Sequence, residues 1–119
     1  MHEYPITQRI IKIAEEYAVK NGYSRVRKIN IVAGDMCGYV PDTVEMYFNE
    51  ISKGTLCEGG EISIERVEPK LKCAKCGEYF KRALFSFECP FCGGEGEPSD
   101  IGREFYVKSI EVDEDDKGN

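Results

Sequence analysis

Ile6, Ile10, Ile13, Ala14, Tyr17 and Ala18 recur at helical spacing, with Arg9, Lys12, Glu15, Glu16 and Lys20 on the other face. Apolar positions three and four apart form one stripe of an α-helix, so the pattern predicts an amphipathic helix over 5–21. Pro5 suits its first turn and Asn21-Gly22 its end. The period then changes to two. Arg27, Ile29, Ile31 and Ala33 alternate with Lys28, Asn30 and Val32, which predicts a strand over 26–33 with Ile29 and Ile31 inward. Gly34-Asp35 breaks it, and a loop follows to residue 40.

Pro41-Asp42-Thr43 opens a second helix, where Val44, Tyr47, Phe48 and Ile51 share a face and Gly54 marks the stop. Ile62 and Ile64 alternate with acidic and polar residues through 61–67, giving a second strand that Pro69 ends. Glu104 to Val112 reads as a third strand, its inward row either Phe105/Val107 or Tyr106/Ile110/Val112. The order predicts an α+β fold: a small three-stranded mixed sheet with two helices, plus an inserted zinc-ribbon-like module. The domain limits on this reading are 1–69 with 100–112 for the α/β part, 70–99 for the inserted module, and 113–119 for a frayed acidic tail. Within the module, Tyr79, Phe80, Leu84, Phe85 and Phe87 are expected to form a short hairpin packed over a metal, and 93–99 a flexible exit.

The metal expectation comes from Cys73-Ala74-Lys75-Cys76 and, after twelve residues, Cys89-Pro90-Phe91-Cys92. Two C-x₂-C knuckles at that separation supply four thiolates, a donor set that suits Zn²⁺ in a closed tetrahedron. With Cys73, Cys76, Cys89 and Cys92 all bound, no coordination position remains for substrate, so the predicted zinc is structural. A module this small cannot bury enough apolar area to offset chain entropy, and the metal makes up the deficit. Disulfides or a redox C-x-x-C fit a repeated, turn-rich pair less well.

Composition narrows the rest. The chain has 119 residues, of which 41% are hydrophobic and 32% charged, and a formal net charge of −6. No apolar run approaches the ~20 residues needed to span a bilayer. The start, Met1-His2-Glu3-Tyr4-Pro5, lacks a signal-peptide pattern, and metal-type cysteine spacing favours a reducing, cytoplasmic setting. An acidic chain is a poor phosphate-backbone binder. Lys70, Lys72, Lys75, Lys81 and Arg82, opposed only by Glu78, form a local exception, so a zinc-ribbon nucleic-acid or protein-interaction module is the alternative reading. An enzyme is the weakest reading, because the only histidine is His2 and the predicted metal site is closed.

His2 is chemically distinctive because it stands beside an α-amine. The Met1 amine, the intervening amide nitrogen and the imidazole can close fused chelate rings, and Glu3 can add a donor. Nitrogen-rich planar coordination of this kind suits Ni²⁺ or Cu²⁺, and an exposed, labile site suits a carrier. The Met1-His2-Glu3 start, Gly34-Asp35 with Val40-Pro41, Lys53-Gly54-Thr55 with Glu58-Gly59, and the C-x₂-C-x₁₂-C-x₂-C spacing together resemble the HypA/HybF hydrogenase maturation proteins, over essentially residues 1–112. The resemblance implies a nickel metallochaperone, not an enzyme, that helps load nickel into the large subunit of [NiFe]-hydrogenase with a HypB-type GTPase. It implies nickel ligands at Met1, His2 and Glu3, and zinc ligands at Cys73, Cys76, Cys89 and Cys92, with no nucleic acid or membrane as partner. Cys37 and Cys57 have no place in that metal chemistry and read as buried or incidental thiols.

Overall fold

A computed structural model of the protein describes residues 2–113. Its elements in chain order are α1 (Glu3–Lys20), β1 (Val26–Gly34), α2 (Pro41–Ile51), β2 (Glu61–Val67), β3 (Leu71–Cys73), β4 (Tyr79–Phe80), β5 (Gly96–Pro98) and β6 (Phe105–Val112). The strands form two sheets, a mixed one of order β2-β1-β6 and a small antiparallel one of order β4-β3-β5. The fold class is the predicted one. Apart from Asp113, the predicted acidic tail lies outside the described residues.

The chain divides into two compact units. One holds residues 2–32, 39–65 and 106–113 of those described; the other is Ala33–Gly38 with Arg66–Phe105. In the first unit, α1 begins at Glu3 rather than at Pro5. Pro5 therefore sits inside the first turn, where its missing N–H removes no helical hydrogen bond. The buried stripe of α1 is Glu3, Thr7, Ile10, Ile11, Ala14 and Ala18. Ile13 and Tyr17, expected inward, are 44% and 43% exposed, while Ile11 and Thr7 take their places. The Thr7 hydroxyl meets its need within the helix by donating to the Glu3 carbonyl.

Val44 and Phe48 bury the inner face of α2, and Ile29 and Ile31 bury that of β1, while Val26 at the start of the strand is buried as well. Each such side chain contributes about 1.5–3 kcal/mol through area removed from water. Tyr4 of α1 meets Tyr47 of α2 edge-on, with ring centroids 5.3 Å apart. Neither row of β6 is buried: Phe105, Val107, Ile110 and Val112 are all intermediate, and Tyr106 is exposed. Among the described residues, no helix is long and apolar enough to cross a membrane.

Cys57 belongs to this core. Its residue is fully buried, its sulfur lies 4.0 Å from the Ile11 carbonyl, and its amide donates to the Thr55 hydroxyl. Burial, with Glu15 nearby, pushes the thiol up from 9.0 to about 11. A raised folded-state value makes the thiol form's contribution to stability complete below about 9 and lost as pH climbs from there through about 11. Urea unfolding at pH 8 and pH 10.5 is expected to show that alkaline loss, and Cys57→Ala to reduce it. At pH 8 a thiol-specific disulfide reagent should reach Cys57 only after denaturant is added. Prompt labelling of Cys57 in the native protein would overturn the assignment.

Candidate metal centres

The two C-x₂-C segments fold into a matched pair of turns. In the first, the Cys73 amide donates to Glu78 O (2.8 Å) and Gly77 N–H to Cys73 O (3.0 Å). In the second, the Cys89 amide donates to Gly94 O (2.8 Å) and Gly93 N–H to Cys89 O (2.9 Å). Gly77 and Gly93 hold equivalent left-handed positions at φ 79° and 76°, which a side chain would resist. Backbone amides also point at sulfur: Cys76 and Lys75 N–H lie 3.3 and 3.4 Å from Cys73 Sγ, and Phe91 N–H lies 3.4 Å from Cys89 Sγ. At Cys73 such donors favour thiolate over thiol. The Cys76 amide foremost, with Lys75, holds the Cys73 thiol down to about 6.

The four sulfurs lie within 4.8 Å of one another, and this is the one such cluster among the described residues. Cys73 Sγ is 3.4 Å from Cys92 Sγ, and Cys76 Sγ is 3.7 Å from Cys89 Sγ. A tetrahedron with metal–sulfur bonds of about 2.3 Å has edges of about 3.8 Å. A disulfide would need about 2.05 Å. The donor set and its spacing therefore fit a four-thiolate metal site. Cys73 and Cys89, the first of each pair, are buried, whereas Cys76 and Cys92 are exposed.

The aromatics depart from expectation. Phe80 alone joins Cys73 and Cys89 in the buried cluster, with Leu71 against it. Tyr79, Leu84, Phe85 and Phe87 are exposed: Tyr79 is the outward residue of β4, and the other three lie in the segment from 81 to 88, which forms no named strand to fold them inward. The predicted flexible exit also contains structure: Gly96–Pro98 pairs with β3 as β5. Its composition resembles a linker, yet Gly96 is required there, since a Cβ would lie 2.4 Å from the Phe80 ring. Gly94 is constrained by the site itself, its Cβ position being 2.9 Å from Cys73 Sγ.

At the other predicted centre, His2 is exposed and occupies the N-cap of α1, where its side chain makes no capping bond. Glu3 is 3% exposed, and its carboxylate accepts the Val40 N–H at 2.9 Å. Val40 is the N-cap of α2 and provides no cap of its own, so Glu3 places negative charge at the positive end of that helix. The Glu3 carboxylate thus latches α1 to α2. Sequence pattern offered no sign of that bond, which joins residues 37 apart in the chain. Met1 lies outside the described residues.

A small α+β fold with a compact four-cysteine cluster defines a metal-binding protein. Residues 1–112 match the family described as hydrogenase/urease nickel incorporation, metallochaperone, HypA. The chain is 39% identical to the hydrogenase maturation factor HypA of Caldanaerobacter subterraneus subsp. tengcongensis, covering 95% of this chain and 100% of the relative. It is 38% identical to that of Geobacter metallireducens, with the same coverage. The solution structure of the Ni metallochaperone HypA from Helicobacter pylori shares the fold at a TM-score of 0.64 and 24% identity, covering 94% of this chain and 97% of that one. A second solution structure, of a HypA protein, does so at a TM-score of 0.72 and 23% identity, covering 94% of this chain and 96% of that one. The chain belongs to the HypA family of nickel metallochaperones for hydrogenase maturation, which is a family of carriers and not of enzymes.

Proposed function

We propose that the chain carries Ni²⁺ at its N-terminus, through the Met1 amine, His2 and Glu3, and passes it by ligand exchange to the large subunit of [NiFe]-hydrogenase. A HypB-type GTPase is the partner in that delivery, and the cytoplasm its setting. Zn²⁺ is the structural ion of Cys73, Cys76, Cys89 and Cys92. The observation that carries the nickel reading is family membership across 1–112 together with an exposed His2 at the helix start. Helix geometry supports it. The first N–H groups of α1 have no intrahelical acceptor, so an amide nitrogen there can bind metal without breaking the helix. Because its carboxylate is engaged at Val40, Glu3 contributes most simply through its backbone nitrogen.

Calorimetric and absorption titration of the zinc-loaded protein with Ni²⁺ tests this reading. One equivalent is expected to bind with a spectrum of nitrogen-rich planar coordination. His2→Ala and a variant extended before Met1 should each lose at least 100-fold in affinity. Glu3→Gln keeps the backbone donor and should retain most of it. Equal binding by the native, His2→Ala and extended proteins would remove the N-terminus as the site.

A further inference from the structure

The second unit carries a groove that neither metal centre uses. It has a volume of about 590 Å³, and Leu71, Phe87 and Ile101 help form its apolar floor. Four cations line it, Lys70, Lys81, Arg82 and Arg103, against the two carboxylates Asp35 and Glu68. Both carboxylates are already engaged: Asp35 accepts Arg66 Nε at 3.1 Å and Glu68 pairs with Lys81 Nζ at 3.0 Å. Among the described residues, Lys70, Arg82 and Arg103 pair with no carboxylate. A chain of net charge −6 therefore presents a locally cationic groove with unmatched charge.

Arg82 shows what kind of anion fits. Its guanidinium lies 4.2 Å from the Phe87 ring centroid, and its Nε donates to the Ser86 carbonyl at 3.2 Å. Stacking fixes the guanidinium plane and leaves its terminal N–H groups for a carboxylate. It also covers one face of the aromatic ring that a nucleobase would need for stacking, which disfavours single-stranded nucleic acid. The turn joining Arg82 to Phe87 extends the apolar surface. Leu84 and Phe85 on it are 84% and 90% exposed, and Phe85 has φ 60°, a left-handed conformation uncommon for a bulky residue. Exposed apolar side chains beside a cationic groove match the composition of recognition surfaces.

We propose that this groove docks an extended acidic segment of a partner protein, in which aspartates or glutamates flank one bulky apolar residue. The carboxylates meet Lys70, Arg82 and Arg103, and the apolar residue lies against Leu71, Phe87 and Ile101. The chain's own acidic end, Asp113 to Asp116, has no bulky apolar residue among its charges and does not supply that anchor. The inference stands whether or not the N-terminus holds nickel.

Fluorescence anisotropy of the full-length, zinc-loaded protein tests it, with a labelled peptide of aspartates and glutamates around a single phenylalanine as probe. Salt-sensitive binding is expected. Arg82→Glu with Arg103→Glu should weaken it at least tenfold, and replacing the peptide's phenylalanine with glycine should do the same. Circular dichroism and zinc content check that the double variant is folded; if it is not, Arg82→Gln with Arg103→Gln takes its place. No peptide binding, or equal binding by the folded variant, would overturn the proposal. Equal binding by the glycine peptide would reduce the contact to simple charge attraction and overturn it too. So would a tenfold gain on deleting 114–119, which would make the chain's own end the occupant. Capture by anionic phosphatidylserine vesicles without peptide binding would assign the surface to lipid and overturn it.

Discussion

Stripping the metal from the four-cysteine site, or replacing Cys89 with serine, is expected to unfold the unit built on Arg66–Phe105 while the two helices persist. The buried apolar cluster there is Cys73, Phe80 and Cys89, with Leu71 partly covered. Two of those three residues, Cys73 and Cys89, are proposed ligands. Without the ion, Phe80 is the remaining large buried side chain, worth about 1.5–3 kcal/mol, while each residue ordered costs ~1–2 kcal/mol of backbone entropy. The pairs of β3 with β4 and β5 involve two and three residues, too few to hold the turns unaided. Structural four-ligand zinc sites supply roughly 10–16 kcal/mol at neutral pH, enough to reverse the balance.

The measurement is an amide correlation spectrum before and after chelation, with helical circular dichroism alongside. Dispersion should collapse for residues 70–99, while α1 and α2 keep their ellipticity. Re-addition of one equivalent of Zn²⁺ should restore the native protein but not the Cys89→Ser variant. Retained dispersion in the chelated protein would show that the short strands need no metal.

The contrast between the units explains what the sequence could disclose. Val44 and Phe48, Ile29 and Ile31, and the C-x₂-C pairs were legible because each depends on local period or spacing. The inner stripe of α1 was less so. Apolar residues occupy two adjoining rows of that helix, and period alone cannot tell which row meets the rest of the fold. Thr7, as a polar residue, gave no hint that its hydroxyl would be satisfied by the Glu3 carbonyl and buried. Strand β5 was hidden for a different reason. Gly, Glu and Pro have poor strand propensity, and the segment becomes a strand because β3 and the Phe80 ring await it.

The Glu3–Val40 latch belongs with these long-range facts. The Met-His-Glu start directed attention to metal ligation, yet the structure engages the Glu3 carboxylate with α2. The two roles are compatible when the backbone nitrogen is the donor. On the proposed ligand set, exchange at His2 would proceed beside an anchored helix, so loading and unloading need not disturb the α1–α2 pair.

Gly34→Ala is expected to be the most damaging single methyl that can be added away from the metal. Gly34 ends β1, and its amide donates to the Glu104 carbonyl at 2.7 Å. A Cβ built there would stand 2.0 Å from Gly102 O and 2.6 Å from the Arg103 nitrogen, all of it backbone. Gly102 cannot retreat easily. It holds φ 104°, its carbonyl accepts Met36 N–H at 2.7 Å, and its own Cβ position is 2.7 Å from Pro69 Cα. Two backbone segments cross here at a distance only glycine permits. Overpacking of this kind costs about 3 kcal/mol or more, because rigid backbone and not a side-chain tip must move. In a domain of this size that lowers Tm by roughly 10–20 °C. Gly38→Ala is the contrasting control: Gly38 has positive φ, 90°, with open space around it, whereas Gly34 has no positive φ and its constraint is contact. Gly38→Ala should cost only the left-handed penalty of ~1–2 kcal/mol. Thermal denaturation of both zinc-loaded variants by circular dichroism separates the two terms. A loss for Gly34→Ala no larger than that for Gly38→Ala would mean that the crossing relaxes freely and that close contact does not select glycine at position 34.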